Sequence, residues 1–538
     1  MEGIVQDIRT TDFIVVGGGS SGAVVASRLS EEKRFEVALL EAGGWDSSPF
    51  IRIPAGSIKA IMNPEYNWFY QAEPDASRND RADMWPAGKV LGGGSSINGM
   101  MYVRGNRGDY DQWAQLGCKG WSYDDVLPFF NKAETNENGG SRFRGDKGPL
   151  RVSNARLSTT LADAFIASGV RAGIPHNPDT NGAEQEGIGP CQATQNKGWR
   201  HSTARAYLAK AKRRSNLKVE TRFMVSRVLI ENGRAIGVEG VQNGRTVCYL
   251  ANKEVILCGG ALSSPKILML SGIGPAKHLG EHGIPVVVDS PGVGQNLQEH
   301  PGVLMSTHVG IDSLNVEVQS VARIVKHGLN FALFGRGPAT ACVASALAFI
   351  RTRDHLEWPN IQLSFSPIAY DFTPDGVYLY KRAAIGVAIN ICRPETRGQL
   401  LLRSTDPSER PIIQHELLGG DDEIKQLIEG CRIVRKIFRS KPFSEYDEGE
   451  RLPGKQVETD ADWIEYIRQS AFLMYHPTGT CAMGIGPTAV LDPELRVKGV
   501  TGLRVADASI MPTLVSANTN APCIMIGERA ADLIRKSH

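Results

Sequence analysis

The sequence lacks several features that would define whole classes of protein. No apolar run reaches the roughly 18 residues that a membrane-spanning helix needs, so we expect no transmembrane segment. Nine cysteines form no CxxC pair, which excludes zinc ribbons and thioredoxin-type redox sites and favours a reducing compartment. The net charge is only +2, which gives no global reason to expect nucleic-acid or membrane-surface binding, although a local patch could be hidden in that sum.

The N-terminal segment also lacks the marks of a targeting peptide. MEGIVQDIRTTD contains no basic region followed by an apolar stretch, so we expect no secretory signal and a cytoplasmic location. Hydrophobic residues make up 41% of the 538 positions and charged residues 22%, which excludes disordered and fibrous proteins. The chain is therefore expected to be globular, with enough length for two or more large domains.

The first fifty residues predict the start of a parallel sheet. An apolar run at Phe13–Val16 is followed by glycines and by a helix-like stretch, Ala23–Leu29. A second apolar run, Val37–Leu40, ends at Glu41. This order of strand, turn, helix and strand is typical of a βαβ unit.

The turn after the first strand carries a dinucleotide-binding fingerprint. Gly17, Gly19 and Gly22 have the spacing G-x-G-x-x-G, and Glu41 ends the next strand. Glycines let the backbone approach a pyrophosphate, and the N-terminus of a helix offers free N–H groups to it. Glu41 can accept hydrogen bonds from ribose hydroxyls and disfavours a 2′-phosphate, so NADP is not expected.

The same letters permit a second interpretation. Gly18-x-Ser20-x-Gly22 matches the nucleophile elbow of α/β serine hydrolases, with Ser20 as the nucleophile. Two features count against it. The elbow would follow the first strand of the chain, and the later candidates His476 and Asp507 occur in the order Ser–His–Asp rather than Ser–Asp–His.

Residues 217–258 predict an antiparallel meander that leads into a last parallel strand. Asn232-Gly233 and Asn243-Gly244 separate consecutive strand-like runs, which is the strongest short-range signal for hairpins. From 311 to 474, strand-like and helix-like runs alternate, and a final helix is expected at Pro522–Arg535. The fold class is therefore α/β with both parallel and antiparallel strands.

A second cluster of glycine and serine, GKVLGGGSSING at 88–99, can wrap an anion or a planar polar ring. Extended to GKVLGGGSSINGMMYVRG, it resembles the first signature of the glucose–methanol–choline (GMC) oxidoreductases, in the choline and alcohol dehydrogenase-like branch. GGALSSPKILMLSGIGP at 259–275 resembles the second signature. Three further stretches follow in the family's order: SPGVGQNLQEHP at 290–301, HPTGTCAMG at 476–484 and VADASIMPTLVSANTNAP at 505–522.

The resemblance implies a Rossmann-like FAD-binding domain and an alcohol-oxidising flavoenzyme. It implies non-covalent FAD, because the position at which some members attach the flavin through a histidine is Ile97 here. Carried over position by position, it implies the following cofactor-binding residues: Gly17, Gly19, Ser20, Ser21, Gly22, Glu41, Val90, Gly94, Asn98, Gly99, Val225, Tyr475, Asp507, Asn518 and Thr519.

His476 stands out among the eleven histidines because it precedes a Pro-Thr-Gly turn and matches the family's catalytic histidine. An imidazole titrates near neutrality, so it is suited to take the hydroxyl proton of an alcohol while hydride leaves for the flavin. Asn520 matches the family's partner of that histidine, where its amide would hold the alcohol oxygen. Both are predicted to be catalytic.

One cluster suggests a metal. His278-x-x-Glu281-His282 matches the H-x-x-E-H pattern of inverted zinc peptidases. Gly280 lies inside that stretch and Gly283-Ile284-Pro285 follows it at once, so a long helix is not expected there. We therefore predict no metal site.

The resemblance also divides the chain. The FAD-binding domain is expected to comprise 11–50, 85–150, 217–305 and 475–538, with 51–84 as a connecting lid and 151–216 plus 306–474 as the substrate domain. The expected substrate is an alcohol, and choline-like, aliphatic, polyether, sugar-type and aryl alcohols are all candidates. A neutral aliphatic or aryl primary alcohol is favoured, because Met100, Met101 and Tyr475 beside the motifs are apolar or aromatic. The electron acceptor, either dioxygen or another compound, and the oligomeric state stay open.

Overall fold

Two seven-stranded sheets form the framework of the computed structural model, which describes residues 7–157, 159–373 and 376–538. One sheet is mostly parallel in its N-terminal part and the other is antiparallel, so the expected mixed α/β fold class is confirmed. The first six residues of the N-terminal segment lie outside the described part. No helix in the described part is both long and apolar enough to cross a membrane.

The first sheet begins with the predicted βαβ unit. Asp7–Val16 and Val37–Glu41 pair in parallel and are joined through the helix Gly22–Leu29. Phe13 to Val16 are all buried, because the strand lies between two paired strands and the helix Gly22–Leu29 packs against it. The strand order is Leu217–Thr221, Val37–Glu41, Asp7–Val16, Arg245–Leu257, Arg234–Gln242 and Phe223–Glu231.

The meander forms through the two predicted Asn-Gly turns. Asn232 and Gly233 have φ angles of 50° and 74°, and Asn243 and Gly244 have 51° and 76°, the left-handed values that two-residue hairpins need. The last strand of the meander and the parallel strand expected after it form one continuous strand, Arg245–Leu257. One edge of it pairs first with Arg234–Gln242 and then with Leu503–Val505, so the backbone stays extended throughout.

The second sheet is antiparallel and is built largely from the weakly patterned middle of the chain. Its order is Asp447–Leu452, Pro301–Val309, Ala384–Ile391, Ile361–Ser366, Ala346–Ile350 and Gly187–Pro190, and Phe472–Leu473 also pairs with Pro301–Val309. The domain boundary expected at 305 thus falls inside a strand. The helix Asp421–Phe438 packs on this sheet through Gly430, against Ile389 and Ile361.

The last helix lies against the first. It begins at Asn520, two residues before the predicted start, and its Gly527 approaches the Ser21 backbone so closely that a Cβ would lie 2.8 Å from the Ser21 oxygen. The Ser21 hydroxyl donates to the Cys523 carbonyl at 2.8 Å. The C-terminal segment is thereby fixed beside the N-terminal glycine turn.

The remaining elements are short or peripheral. The other helices are Pro49–Arg52, Ser57–Ile61, Gly94–Ile97, Arg107–Gln115, Tyr123–Ala133, Thr160–Arg171, Ala209–Ala211, Ser264–Leu270, Ala276–Glu281, Leu314–Glu317, Val321–Phe334 and Asp460–Ser470. The other strands are Tyr70–Gln71, Met84–Trp85, Glu134–Asn136, Leu150–Asn154, Gln192–Ala193, Gln195–Asn196, Trp199–Arg200, Ile273–Gly274, Val288–Asp289, Tyr370–Thr373, Gly376–Leu379, Gln399–Leu401 and Ile412–Gln414.

Candidate active site

A cavity of about 540 Å³ lies between the two sheets. At one end it is lined by Gly17 and Glu41 of the first sheet, and at the other by Leu304 and Ala388 of the second. His476 and Asn518 line it as well. A cavity at the junction of two layers, with few polar groups among apolar walls, is where cofactor and substrate sites commonly occur.

The N-terminal turn forms the first end of the cavity. The Gly17 N–H donates to Leu40 O at 2.7 Å, and Gly17 has a φ of +99°, which only glycine adopts without strain. A Cβ on Gly22 would lie 1.9 Å from the Gly17 oxygen, so the helix could not start so close to the turn with any other residue. The turn therefore directs the first N–H groups of this helix towards the cavity.

The second glycine cluster packs directly on the first. The Gly92 N–H donates to Gly18 O at 2.7 Å, and a Cβ on Gly93 would lie 2.7 Å from the Cα of Gly19. Gly93 has a φ of +51°. The two loops together make one continuous wall of backbone, which is suited to a long polar ligand such as a dinucleotide.

Glu41 lies at the end of the second strand and is 5% exposed. Its carboxylate accepts the N–H groups of Gly18 at 2.7 Å and of Gly43 at 2.8 Å. Burial raises the pKa of this carboxyl to about 7, against the lowering effect of those two hydrogen bonds. Each oxygen keeps a second lone pair that can accept from a ligand hydroxyl.

Asp507 fixes the C-terminal wall. One of its oxygens accepts from the Gly260 N–H and the Ser264 hydroxyl, and the other accepts from the N–H and hydroxyl of Ser509. Burial raises the pKa of Asp507. Its carboxylate thus joins the loop after the strand Arg245–Leu257 to the segment that leads into the last helix.

Three side chains form a linear array at the far end of the cavity. His300 Nδ1 lies 2.9 Å from His476 Nδ1, and His300 Nε2 lies 3.1 Å from the Cys392 carbonyl. Asn518 Nδ2 lies 3.1 Å from His476 Nε2. The Asn518 amide is oriented because its oxygen accepts from Gln362 Nε2 at 3.3 Å.

This array assigns the protons of both rings. A carbonyl can only accept, so His300 carries hydrogen on Nε2, and a neutral His300 must then accept at Nδ1. His476 accordingly carries its hydrogen on Nδ1 and presents an unprotonated Nε2. Burial lowers the pKa of His300 to about 4 and holds that of His476 well below 6.5, so both rings are neutral at pH 7.

The partner of His476 differs from the sequence-based expectation. Asn520 was expected there, but its side-chain oxygen accepts from the Ser20 hydroxyl at 2.8 Å, at the glycine-turn end of the cavity. The amide beside His476 belongs to Asn518. Asn520 is the first residue of the last helix, and the chain turns away from His476 before reaching it.

Most of the residues singled out from the sequence do line the cavity. Gly22 and Val90 do not. Gly22 lies under the turn, and Val90 packs with Ile51, Ala60 and Ile97 in a small separate apolar cluster. The lining members are Gly17, Gly19, Ser20, Ser21, Glu41, Gly94, Asn98, Gly99, Val225, Tyr475, His476, Asp507, Asn518, Thr519 and Asn520.

Sequence reasoning missed Glu299 and His300, which precede the expected histidine by more than 170 positions. Glu299 is fully buried, its carboxyl accepts the backbone N–H groups of His300 at 2.9 Å and His476 at 2.7 Å, and burial raises its pKa to about 8. Glu299 and His300 both lie in the family stretch SPGVGQNLQEHP, but only the contacts across the fold show that they position the catalytic candidate.

Arg200 was also missed. Its guanidinium is buried and donates to Asn98 Oδ1 at 2.9 Å, to Asn98 O at 2.7 Å and to Ile51 O at 2.8 Å. No carboxylate of the described part of the chain pairs with it, and burial lowers its pKa to about 9, so it stays charged at neutral pH. It therefore holds the second glycine loop while adding an uncompensated positive charge behind it.

Comparison with known proteins decides the family. The sequence model described as GMC oxidoreductase matches residues 11–302 with its N-terminal part and 394–527 with its C-terminal part. The chain belongs to the GMC oxidoreductase family. It is accordingly an FAD-dependent enzyme of alcohol oxidation, and the expectation drawn from the five motifs is confirmed.

The similarity to individual relatives in this family covers almost the whole chain. Oxygen-dependent choline dehydrogenases from Brucella ovis and Sinorhizobium medicae are 41% and 42% identical to it, over 97% of this chain and 95% of each relative. Among solved structures, pyridoxine 4-oxidase from Mesorbium loti has a TM-score of 0.89 at 29% identity, covering 98% of this chain and 100% of that one. A formate oxidase variant from Aspergillus oryzae has a TM-score of 0.90 at 27% identity, covering 98% and 99%.

The residues present fit the FAD of this family. The two packed glycine loops offer a backbone cradle at one end, where a Cβ on Gly94 would meet nothing within 4 Å. The Glu41 carboxylate faces the same end, and the neutral His476 and Asn518 lie at the other. A ligand with a ribose and pyrophosphate half and a reactive ring half suits this division.

The two alternatives from the sequence find no matching geometry. Ser20 donates to Asn520, and no histidine of the described residues is among its hydrogen-bond partners. His278 Nε2 accepts the Leu402 N–H at 2.9 Å, so that nitrogen is already engaged. In the part of the chain that the structure describes, no group of three or more His, Cys, Asp or Glu side chains could hold a metal ion.

Proposed function

We propose that this GMC oxidoreductase converts a neutral primary alcohol, aliphatic or aryl, to the aldehyde, with His476 as the base. The observation that carries this proposal is the array of His300, His476 and Asn518, which leaves His476 Nε2 unprotonated beside an amide donor in the cavity wall. FAD held in the cavity would supply the acceptor for the hydride of the alcohol carbon. Asn518, rather than Asn520, is the residue that we propose holds the alcohol oxygen.

The proton of the alcohol would move to His476 Nε2. The Asn518 amide, 3.1 Å from that nitrogen, would donate to the alcohol oxygen and stabilise it as the O–H bond breaks. His300 would support the resulting positive ring, because its Nδ1 accepts the hydrogen on His476 Nδ1 at 2.9 Å. Burial lowers the pKa of His476, so its ring is unprotonated at neutral pH when the alcohol binds.

The cofactor would be held without a covalent bond by the two glycine loops, Glu41 and the start of the last helix. Ile97 offers no nucleophile for attachment. The Glu41 carboxylate would accept from ribose hydroxyls, and the N-terminus of Gly22–Leu29 would face the pyrophosphate. Val225, where the register of its strand pair shifts, is our proposed contact for the adenine.

The substrate end of the cavity supports a neutral alcohol. Its walls include Leu304, Ile368, Ala388, Phe472 and Met474, and the two carboxylates that line the cavity, Glu41 and Asp507, are both engaged by groups of the cofactor-side loops. A trimethylammonium group needs a carboxylate or an aromatic cage. Both carboxylates are engaged, so only aromatic side chains of the lining, among them Trp68, Tyr70 and Tyr475, could serve such a cation. The named relatives are choline dehydrogenases, so choline is the competing substrate.

An anaerobic absorbance experiment distinguishes these substrates. We expect the flavin bands of the purified holoenzyme to bleach with 1-hexanol or benzyl alcohol and to stay oxidised with choline. Bleaching by choline alone would overturn the neutral-alcohol proposal and leave alcohol oxidation intact.

We propose dioxygen as the electron acceptor, since the relatives include oxygen-dependent enzymes and oxidases. Rapid recovery of the oxidised-flavin bands in air supports this acceptor, and slow recovery contradicts it.

A further inference from the structure

The helix Val321–Phe334 is packed with its polar side against the protein. Arg323 pairs with Asp312 at 2.9 Å and with Glu317 at 3.1 Å, and His327 Nε2 lies 2.8 Å from Glu317. Phe331 is its one buried apolar residue, with its ring 4.5 Å from that of Trp199. This is the reverse of a surface helix in a globular protein, which turns its apolar stripe to the core.

The outward side of the same helix is apolar. The spacing of 321, 324, 325, 328, 329, 332 and 333 places these positions on one face, and all of them are exposed. No charged residue occurs on that face. The large side chains are Val321, 76% exposed, Ile324, 48%, Val325, 57%, Leu329, 58%, and Leu333, 72%, and Phe334 at the helix end is 69% exposed.

Positive charges surround this face. Lys326 and Arg336 are exposed, and Lys197 adjoins the helix end, since a Cβ on Gly335 would lie 2.2 Å from the Lys197 oxygen. The Arg52 guanidinium lies 5.3 Å from the ring of Trp199, against which Phe331 packs. None of these four cations has an ion-pair partner among the described residues, whereas Asp312 and Glu317 are already paired.

The apolar face is followed along the chain by a wall of the active-site cavity. The turn Pro338–Thr340 comes after the helix, and then Val343, which is 46% exposed. Val343 also lines the cavity, where its N–H donates to Gly99 O at 3.3 Å. A partner bound to this face would therefore sit close to one wall of the cavity.

We propose that Val321–Phe334 and the cations around it form a docking surface for an anionic lipid bilayer. The helix would lie in the interface with its apolar face among the acyl chains and its flanking cations at the lipid headgroups. A second copy of the chain fits less well, since a two-fold interface would bring the same unpaired cations together. No helix of the described part spans a membrane, so this contact is peripheral.

Vesicle flotation of the full-length holoenzyme tests this surface. We expect it to float with phosphatidylcholine vesicles containing about 30% phosphatidylglycerol, and more weakly with phosphatidylcholine alone or at high salt. The variant Leu329→Gln/Leu333→Gln should lower the bound fraction by about tenfold. Both positions are exposed, so its flavin spectrum and melting temperature should match the wild type.

A matched control changes exposed apolar residues elsewhere. Ile8→Gln/Ile485→Gln alters side chains that are 64% and 73% exposed and should float like the wild type. Lys326→Gln/Arg336→Gln should reduce flotation with the anionic vesicles only. No flotation of the wild type, or equal flotation of the Leu329/Leu333 variant, would overturn the proposal. A dimer in sedimentation that this variant abolishes would assign the surface to a second copy instead.

Discussion

Asn518 and Asn520 are two positions apart, yet the structure gives them different neighbours. Both occur in the stretch SANTNAP, and spacing alone did not show which amide meets the catalytic histidine. The last helix starts at Asn520, so the backbone changes direction between the two residues. The Asn518 side chain consequently contacts His476, and that of Asn520 contacts Ser20.

This difference predicts two separable variants. Asn518→Ala should keep FAD but slow flavin reduction by alcohol by roughly 10²-fold, because one donor to the developing charge is lost. Asn520→Ala should reduce at a near-normal rate when saturated with FAD and should release FAD more readily, because Ser20 loses its partner in the glycine turn. Stopped-flow reduction and FAD titration measure the two effects, and exchanged phenotypes would show that Asn520 is the partner of the base.

At the scale of elements, the two glycine loops carry different constraints. A Cβ on Gly22 would clash with the Gly17 oxygen, whereas a Cβ on Gly94 would point into open space in the cavity. Gly22→Ala should therefore lower the melting temperature of the FAD-free chain. Gly94→Ala should leave that temperature unchanged and weaken FAD binding, as a melt and an FAD titration would show. An equal loss of stability in both variants would contradict this division.

Elements with strong local signals were predictable from the sequence. The Asn-Gly turns, the βαβ unit and the helix Asp421–Phe438 follow from turn chemistry and from periodicity, which are local properties. The strand Pro301–Val309 was missed because it begins with Pro-Gly, and its form depends on pairing with Ala384–Ile391, far along the chain. The helix Val321–Phe334 was also missed, although its apolar periodicity is a local signal; the sequence does not show which side of that helix faces solvent.

At the scale of the whole molecule, the site exists only because the two sheets meet. His300 lies just before the strand Pro301–Val309 of the second sheet, and Asn518 lies just before the last helix, which packs against the first helix of the βαβ unit. His476 joins them through contacts that span 176 and 42 positions. The sequence motifs identify most of these positions but carry no information about which side chains touch.

Burial of neutral histidines also affects the stability of the whole molecule. His415 packs edge-on against Trp85, neither ring nitrogen has a hydrogen-bond partner in the described structure, and burial lowers its pKa to about 4. The His415 ring takes up a proton near pH 6.5 in the unfolded chain, but stays neutral down to about pH 4 in the native chain. Protonation therefore favours the unfolded chain, and the free energy of unfolding decreases as the pH falls from 6.5 to 4.

The variant His415→Leu should remove that dependence. Between pH 6.5 and 4 its unfolding free energy should fall less steeply than that of the wild type, by about 1.4 kcal/mol per pH unit. Urea titrations of the FAD-free proteins across this range give the two slopes. Identical slopes would mean that His415 takes up a proton in the native chain as readily as in the unfolded one.

The most direct test of alcohol oxidation through His476 is the anaerobic absorbance of the holoenzyme and of His476→Gln after mixing with benzyl alcohol. Both proteins should begin with the same oxidised-flavin bands, because His476 lies at the end of the cavity away from the glycine loops. The wild type should bleach, and the variant should bleach at least about 10²-fold more slowly, since it has no base for the hydroxyl proton. A wild-type protein that no alcohol bleaches, or a variant that bleaches equally fast, would contradict the assignment.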